Sequence, residues 1–331
     1  MIQRLLSYPY GGVRSRALAT RLLPSVELTA LTTISREQAA GQLEHRLSPG
    51  TGPEPIGTRL QKDYLAFARL ILPTLPAPAA QLLQDYLRRN WVDNLITLSR
   101  HLRRSRPLVN LPPPLPTLEV PPLPEPDNLD TLRALAASLP KGRYRELIQG
   151  QDSDTGVAGQ AALENGLLRI YWDAVMNSVH RLSGPDRAAA REILGERAEI
   201  DAVRILWRGV RSGLGSTTIL AALPPLGRRI DPGRLRRALR SENPEDALRQ
   251  LLQLRLPDGA ADPATGEQLL RRQFRQQLRR WLISAPVDIA VPLSALLLKE
   301  LETADLAGLL GGLRYGLAPE SIARALAGGK G

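Results

Sequence analysis

The chain has 331 residues, 43% hydrophobic and 23% charged, which is enough for two ordinary domains or one extended array and is not the composition of a disordered chain. Its formal charge of +11, carried mostly by Arg, suits nucleic acid, an anionic membrane surface or an acidic protein partner without choosing among them. The absence of cysteine excludes disulfides, thiolate metal sites and cysteine nucleophiles.

Aromatics make up only 4% of the residues, with two Phe, while Leu and Ala abound, so the core must be mostly aliphatic and helices are favoured over strands. The first ten residues lack the basic flank, apolar run and cleavage site of a secretory signal, so no export is expected. The longest apolar run, Ile289 to Leu298, is about half of the ~20 residues that a membrane-spanning helix needs. No membrane span is expected.

In chain order, three stretches share one design: an amphipathic pattern, a loop rich in Gly and Pro, and a second amphipathic stretch that closes in a similar signature. The first occupies residues 1–106 and closes on Trp91, Leu95, Leu98 and Leu102, one face of a helix. Residues 107–126 are rich in Pro and read as a stiff extended linker. The second, 127–214, closes on Ile200, Val203, Leu206, Trp207, Val210 and Leu214, and the third, 215–331, closes on Leu306, Leu310, Leu313 and Leu317. Ungapped alignment of the closing helices sets Asp93-Asn94-Leu95 over Asp201-Ala202-Val203 and Ala304-Asp305-Leu306. Arg100, Arg208 and Gly311 then coincide, as do Ser105, Gly213 and Gly316. Gly213 and Gly316 are each followed by Leu, the sequence of a helix that ends in a Schellman motif.

Within the third stretch, Leu270, Phe274, Leu278 and Trp281 form an apolar stripe, with Arg271, Arg272, Arg275, Arg279 and Arg280 expected around it on a solvated back. No strand-like alternation with hairpin turns stands out, so the chain reads as all-α.

No catalytic constellation emerges. There is no phosphate-binding loop, and Gly213-Leu214-Gly215-Ser216-Thr217 reads as a helix cap and turn. The pairs Asp152 with Asp154 and Glu300 with Glu302 lack a nearby His and read as solvated charges. His45, His101 and His180 lie far apart, so no metal site is expected, and neither a cofactor nor a bound small molecule. The net charge and the Arg-rich stretch from Leu269 to Leu282 leave a basic nucleic-acid-binding protein as the competing class.

Several segments resemble one family along most of the chain. The opening, Tyr8-Pro9-Tyr10-Gly11-Gly12-Val13-Arg14-Ser15-Arg16-Ala17-Leu18, is similar to the start of the C-type connector subunits of A/V-type rotary ATPases, whose eukaryotic equivalents are of d type, although Val13 stands where a small Ala is usual. Asn90-Trp91-Val92-Asp93-Asn94-Leu95 through Arg100, its counterpart Glu199-Ile200-Asp201 through Arg208, Leu163-Glu164 followed by Tyr171-Trp172, and Ala285-Pro286 through Gly316-Leu317-Ala318-Pro319 resemble successive segments of that family. Ala202 and Gly311 depart from the family's usual Asn and Arg.

The resemblance implies a funnel-shaped all-helical protein of three pseudo-threefold-related repeats. It implies a non-catalytic connector, peripheral on the cytoplasmic face of the membrane, whose partners are the central-stalk subunits of D and F type and the rotor ring of proteolipid subunits. On that reading Arg14 and Arg16 are candidate partner contacts. Asp93, Asn94, Arg100, Asp201 and Arg208 are expected to fix helix register through hydrogen bonds, with Gly213 and Gly316 ending their helices.

Overall fold

The computed structural model describes residues 8–47, 55–103, 117–118, 131–150, 157–224, 230–253, 263–285 and 288–326. Among the described residues every regular element is a helix, so the fold is all-α. In chain order these are α1 (Pro9–Ala19), α2 (Ser25–Ala30), α3 (Arg36–Glu44), α4 (Ile56–Ile71), α5 (Ala77–Leu87), α6 (Arg89–Arg103), α7 (Leu132–Ser138) and α8 (Arg143–Gln149). They continue with α9 (Val157–Arg181), α10 (Gly184–Arg211), α11 (Ser216–Ala222), α12 (Pro232–Leu239), α13 (Pro244–Gln253), α14 (Pro263–Ser284), α15 (Ala290–Arg314) and α16 (Pro319–Ala325). The Pro-rich linker, Ser105 and the Asp152/Asp154 pair lie outside the described residues, save positions 117 and 118.

The chain divides into two compact units, each assembled from separate stretches: unit one from 1–83, 181–197 and 256–331, unit two from 84–180 and 198–255. Unit one is built round α15, which packs against α1, α3, α4, α14 and α16. The apolar run from Ile289 to Leu298 forms its first half, and all ten residues are buried. A helix apolar on every side has no face for water, so it becomes the axis on which amphipathic neighbours lay their stripes. Helix α1 packs against it and buries Gly11, Gly12, Ser15 and Leu18; Gly11 lies against the turn after α4, where a Cβ would stand 2.9 Å from the Thr74 carbonyl oxygen. No helix among the described residues is long and apolar enough to cross a membrane.

Charges inside this packing are matched. Lys299 on α15 places Nζ 2.7 Å from Asp63 of α4 and 2.6 Å from Glu302 one turn on. The other oxygen of Glu302 accepts the backbone N–H of Leu23 at 2.5 Å. Burial works against the Lys299 charge, but Glu302 and Asp63 outweigh it and hold the ammonium above the ordinary lysine pKa. Glu302, expected to be solvated, is therefore buried and committed. Arg275 departs in the same way: instead of joining the wet back of α14 it is buried and donates to Asp305 at 2.6 Å. The apolar stripe of α14 turns inward as its spacing demands, and the buried Asp305 draws Arg275 in with it.

Unit two gathers aromatic side chains into its core. Trp91 meets Tyr144 edge-on at 5.1 Å, Tyr171 and Trp172 pack at 5.3 Å, and the Tyr171 hydroxyl donates to the Tyr86 carbonyl at 3.0 Å. Burial pushes the Tyr144 phenol up to about 12.

One local construction occurs in both units. Helix α10 ends with Leu214 N–H donating to Gly209 O at 2.9 Å and Gly213 N–H to Val210 O at 3.0 Å; α15 ends with Leu317 N–H donating to Gly312 O at 3.0 Å and Gly316 N–H to Leu313 O at 3.2 Å. These are Schellman closures, and Gly213 and Gly316 both sit at φ 65°, where a side chain would be strained. The chain then turns into a seven-residue helix, α11 or α16, which lays Ile219 over Gly209 and Ile322 over Gly312. A Cβ on either glycine would stand 2.7 Å from the isoleucine. Nothing within 4 Å surrounds a Cβ at Gly308.

Replacing Gly209 or Gly312 with Ala should therefore cost about 1–3 kcal/mol despite the better helix propensity, because a buried isoleucine must shift. Gly308→Ala should instead stabilise by up to ~1 kcal/mol. Thermal unfolding of the three variants checks the contrast, and equal behaviour at all three sites would remove the packing argument.

Candidate functional site

The recurring polar residues of the closing helices come together in unit two. Helix α6 buries Trp91, Val92, Asn94, Leu95, Ile96, Leu98 and Ser99 on one side, which places Asp93, Thr97 and Arg100 along another at a spacing of one turn. With Glu164 of α9 and Asp201, Arg204 and Arg208 of α10 they line a recess of about 370 Å³ floored by Ile96, Leu168, Trp172 and Ile205.

The pairings inside the recess centre on two residues that spacing alone did not single out. Arg89 opens α6 and reaches both acids of the repeated signature: Nε lies 3.1 Å from Asp93 Oδ1, and Nη1 lies 3.2 Å from Asp201 Oδ2. Its guanidinium also stands over the ring of Tyr171, 5.6 Å from the centroid. Glu164 receives Arg100 through two parallel hydrogen bonds, Nε to Oε1 at 2.6 Å and Nη2 to Oε2. The hydrogen bonds from Arg100 to Glu164 raise the guanidinium pKa although burial opposes the charge. Gln160 supports the arrangement, donating to Glu164 at 2.7 Å and to Ser99 at 3.3 Å.

The expected register residues thus meet three different fates. Asp93, Asp201 and Arg100 hold cross-helix or within-helix ion pairs, Asn94 is buried in the α6 packing face, and Arg208 stands exposed at the rim of the recess. Asp93 and Asp201 both pair with Arg89, and Arg100 pairs with Glu164. Arg89 was discoverable from its position four residues before Asp93, the spacing at which helical charges meet. Glu164 carried no such local signal, because its partner lies 64 residues away.

In unit one the two candidate partner contacts differ. Arg16 is turned onto the C-terminal end of α14, donating Nε to the Leu282 carbonyl at 2.8 Å and Nη2 to the Ala285 carbonyl at 3.1 Å. A guanidinium there satisfies carbonyls that the helix itself leaves open. Arg14 stays at the edge of α1, where Nη1 donates to the Tyr10 hydroxyl at 2.7 Å. Among the described residues no group of three or more His, Asp or Glu side chains is placed to hold a metal ion.

What these features define is an all-helical scaffold whose helices are tied to one another by ion pairs. Residues 13–325 match the family model described as ATP synthase (C/AC39) subunit. The chain belongs to that family and is an A/V-type ATPase component of the C or d kind. No curated protein matches it.

The Arg89 bridge offers a test. Arg89→Met removes the ion pair that joins α6 to the buried Asp201 of α10; because Arg89 is itself a quarter exposed, the expected loss is about 1–3 kcal/mol in chemical denaturation, below the about 3–5 kcal/mol of a fully buried pair. Arg208→Met should change stability by less than ~0.5 kcal/mol. Equal losses would show that Arg89 does not organise the recess.

Proposed function

We propose that the chain is the non-catalytic connector of the central stalk, coupling the shaft of D-type and F-type subunits to the proteolipid rotor ring at the cytoplasmic face of the membrane. The observation that carries the reading is the family match over residues 13–325. Its physical companion is the way each unit is braced. A part that transmits torque must deform less than its neighbours, and close-packed helices cross-tied by ion pairs, some of them buried, provide that stiffness. In unit one Lys299 ties α4 to α15, and Arg197 pairs with Glu300 at 2.9 Å; in unit two Arg89 ties α6 to α10 and Arg100 ties α6 to α9.

The division into three pseudo-threefold repeats at 1–106, 127–214 and 215–331, within a funnel, belongs to the same proposal. It is supported by the closing module that α10–α11 and α15–α16 share at an identical spacing of glycines and isoleucine. Arg14 is assigned to the contact with the ring, and Arg16 to holding α1 against α14 so that Arg14 is presented.

Purification of the chain from its native membranes should bring stalk and ring subunits with it. Arg14→Glu should weaken that association, most strongly at low salt, with unchanged thermal stability, whereas Arg16→Glu should lower stability as well. Isolation free of ATPase subunits, or with nucleic acid released by salt, would contradict the proposal.

A further inference from the structure

We propose that the face of unit one formed by α1 and the C-terminal end of α14 is a contact surface for a membrane bearing anionic phospholipid. This goes beyond the connector reading and rests on it only for why such a face would meet a membrane.

Two short segments build the face. Residues 8–26 and 268–287 together contain eight arginines, Arg14, Arg16, Arg21, Arg271, Arg272, Arg275, Arg279 and Arg280, and no Asp or Glu. The hydrogen bonds from Arg16 to the carbonyls of Leu282 and Ala285 hold the segments side by side. Part of the charge is consumed internally: Arg271 and Arg275 face Asp305, and Arg272 donates to the carbonyls of Arg324 and Leu326. Two nearby acids are buried and occupied, Asp186 accepting from Tyr8 and the Ile289 backbone and Glu302 from Leu23 and Lys299; of those that flank the segments, the exposed Glu27 is paired with Arg46 and the half-buried Asp288 accepts the Ala290 N–H. Arg21, Arg279 and Arg280 remain exposed.

Between these cations stand exposed apolar side chains. Tyr10 is 64% exposed, Val13 65% and Ile283 78%, three of the seven large hydrophobics that are exposed among the described residues. Tyr10 and Val13 lie one turn apart on α1, and Ile283 follows Arg279 and Arg280 by one turn on α14.

The pattern decides between two anionic partners. Three separated side chains cannot form the core of a stable protein interface, which buries roughly 800 Å² on each side. They are sufficient for an interfacial membrane contact, where apolar side chains dip below the headgroups and arginines reach the phosphates. Each arginine near an anionic bilayer then adds its own share of binding, without requiring a matching pocket. A tyrosine, apolar in body and polar at its tip, suits the same depth.

The test uses the purified full-length chain and unilamellar vesicles, either pure phosphatidylcholine or with one-third phosphatidylglycerol, in a sedimentation assay at low salt. Binding is expected only to the anionic vesicles. Arg279→Gln and Arg280→Gln should each lower the partition coefficient about fivefold, and Ile283→Ser by roughly tenfold. The pair Arg236→Gln and Arg237→Gln, exposed on unit two, should leave it unchanged. Absence of anionic preference overturns the inference, as does a loss in the unit-two control equal to that of the α14 variants, which would mean diffuse net charge. If the α14 variants keep vesicle binding but lose binding to lipid-free rotor ring, the face docks a protein and the lipid assignment is wrong. Failure on vesicles leaves co-purification with ATPase subunits untouched, so the two readings fail separately.

Discussion

Helix α15 is buried on every side along its first turns and keeps an exposed strip only later, at Ala304, Ala307 and Gly308, so unit one is arranged round the charges that it carries on its buried side. Lys299, Glu302 and Asp305 follow the apolar first half of this helix, and each requires a partner delivered by another element: Asp63 from α4, the Leu23 backbone from the segment after α1, Arg275 from α14. Because an unpaired buried charge costs several kcal/mol, these pairings set the register in which α4 and α14 settle on α15. The apolar contacts supply the driving force for collapse; the ion pairs restrict it to one arrangement.

In unit two one arginine meets the same requirement for both acids of the repeated signature. Arg89 answers Asp93 on its own helix and Asp201 on α10, so one side chain couples the two acids that recur in the closing helices. Arg100 and Glu164 do the same between α6 and α9, beside a core in which the scarce aromatics are concentrated. The module of α10–α11 reappears as α15–α16 with the same hydrogen bonds and the same isoleucine lying on glycine, yet its surroundings differ. In unit two Leu214 lines the charged recess, whereas in unit one Tyr315 and Leu317 stand exposed.

Much of this could be read before any coordinates. Helical period in α6, α10 and α15 determined which faces are buried, and Gly-Leu at 213 and 316 marked both helix ends, because those are local signals governed by backbone geometry. What escaped was every partnership across the chain. Arg275 looked like one more arginine on a wet face until Asp305 was seen opposite it, and Glu302 looked solvated until Lys299 and Leu23 closed on it. The recurrence of Asp93 and Arg100 pointed to hydrogen bonds between helices but not to the partners, Arg89 and Glu164, that the two residues take. Gly209 and Gly312 drew no notice, since the close approach that requires them is made by side chains ten residues later.

The family and the internally braced units underlie the proposal that the chain is a connector. The claim that it transmits rotation between shaft and ring is tested most directly by measuring ATP hydrolysis and ATP-driven ion uptake together, in vesicles reconstituted with the complex lacking this chain and again after adding it back. The account predicts that hydrolysis persists without the chain while uptake is lost, and that addition restores uptake. Uptake at the full rate in its absence would contradict it.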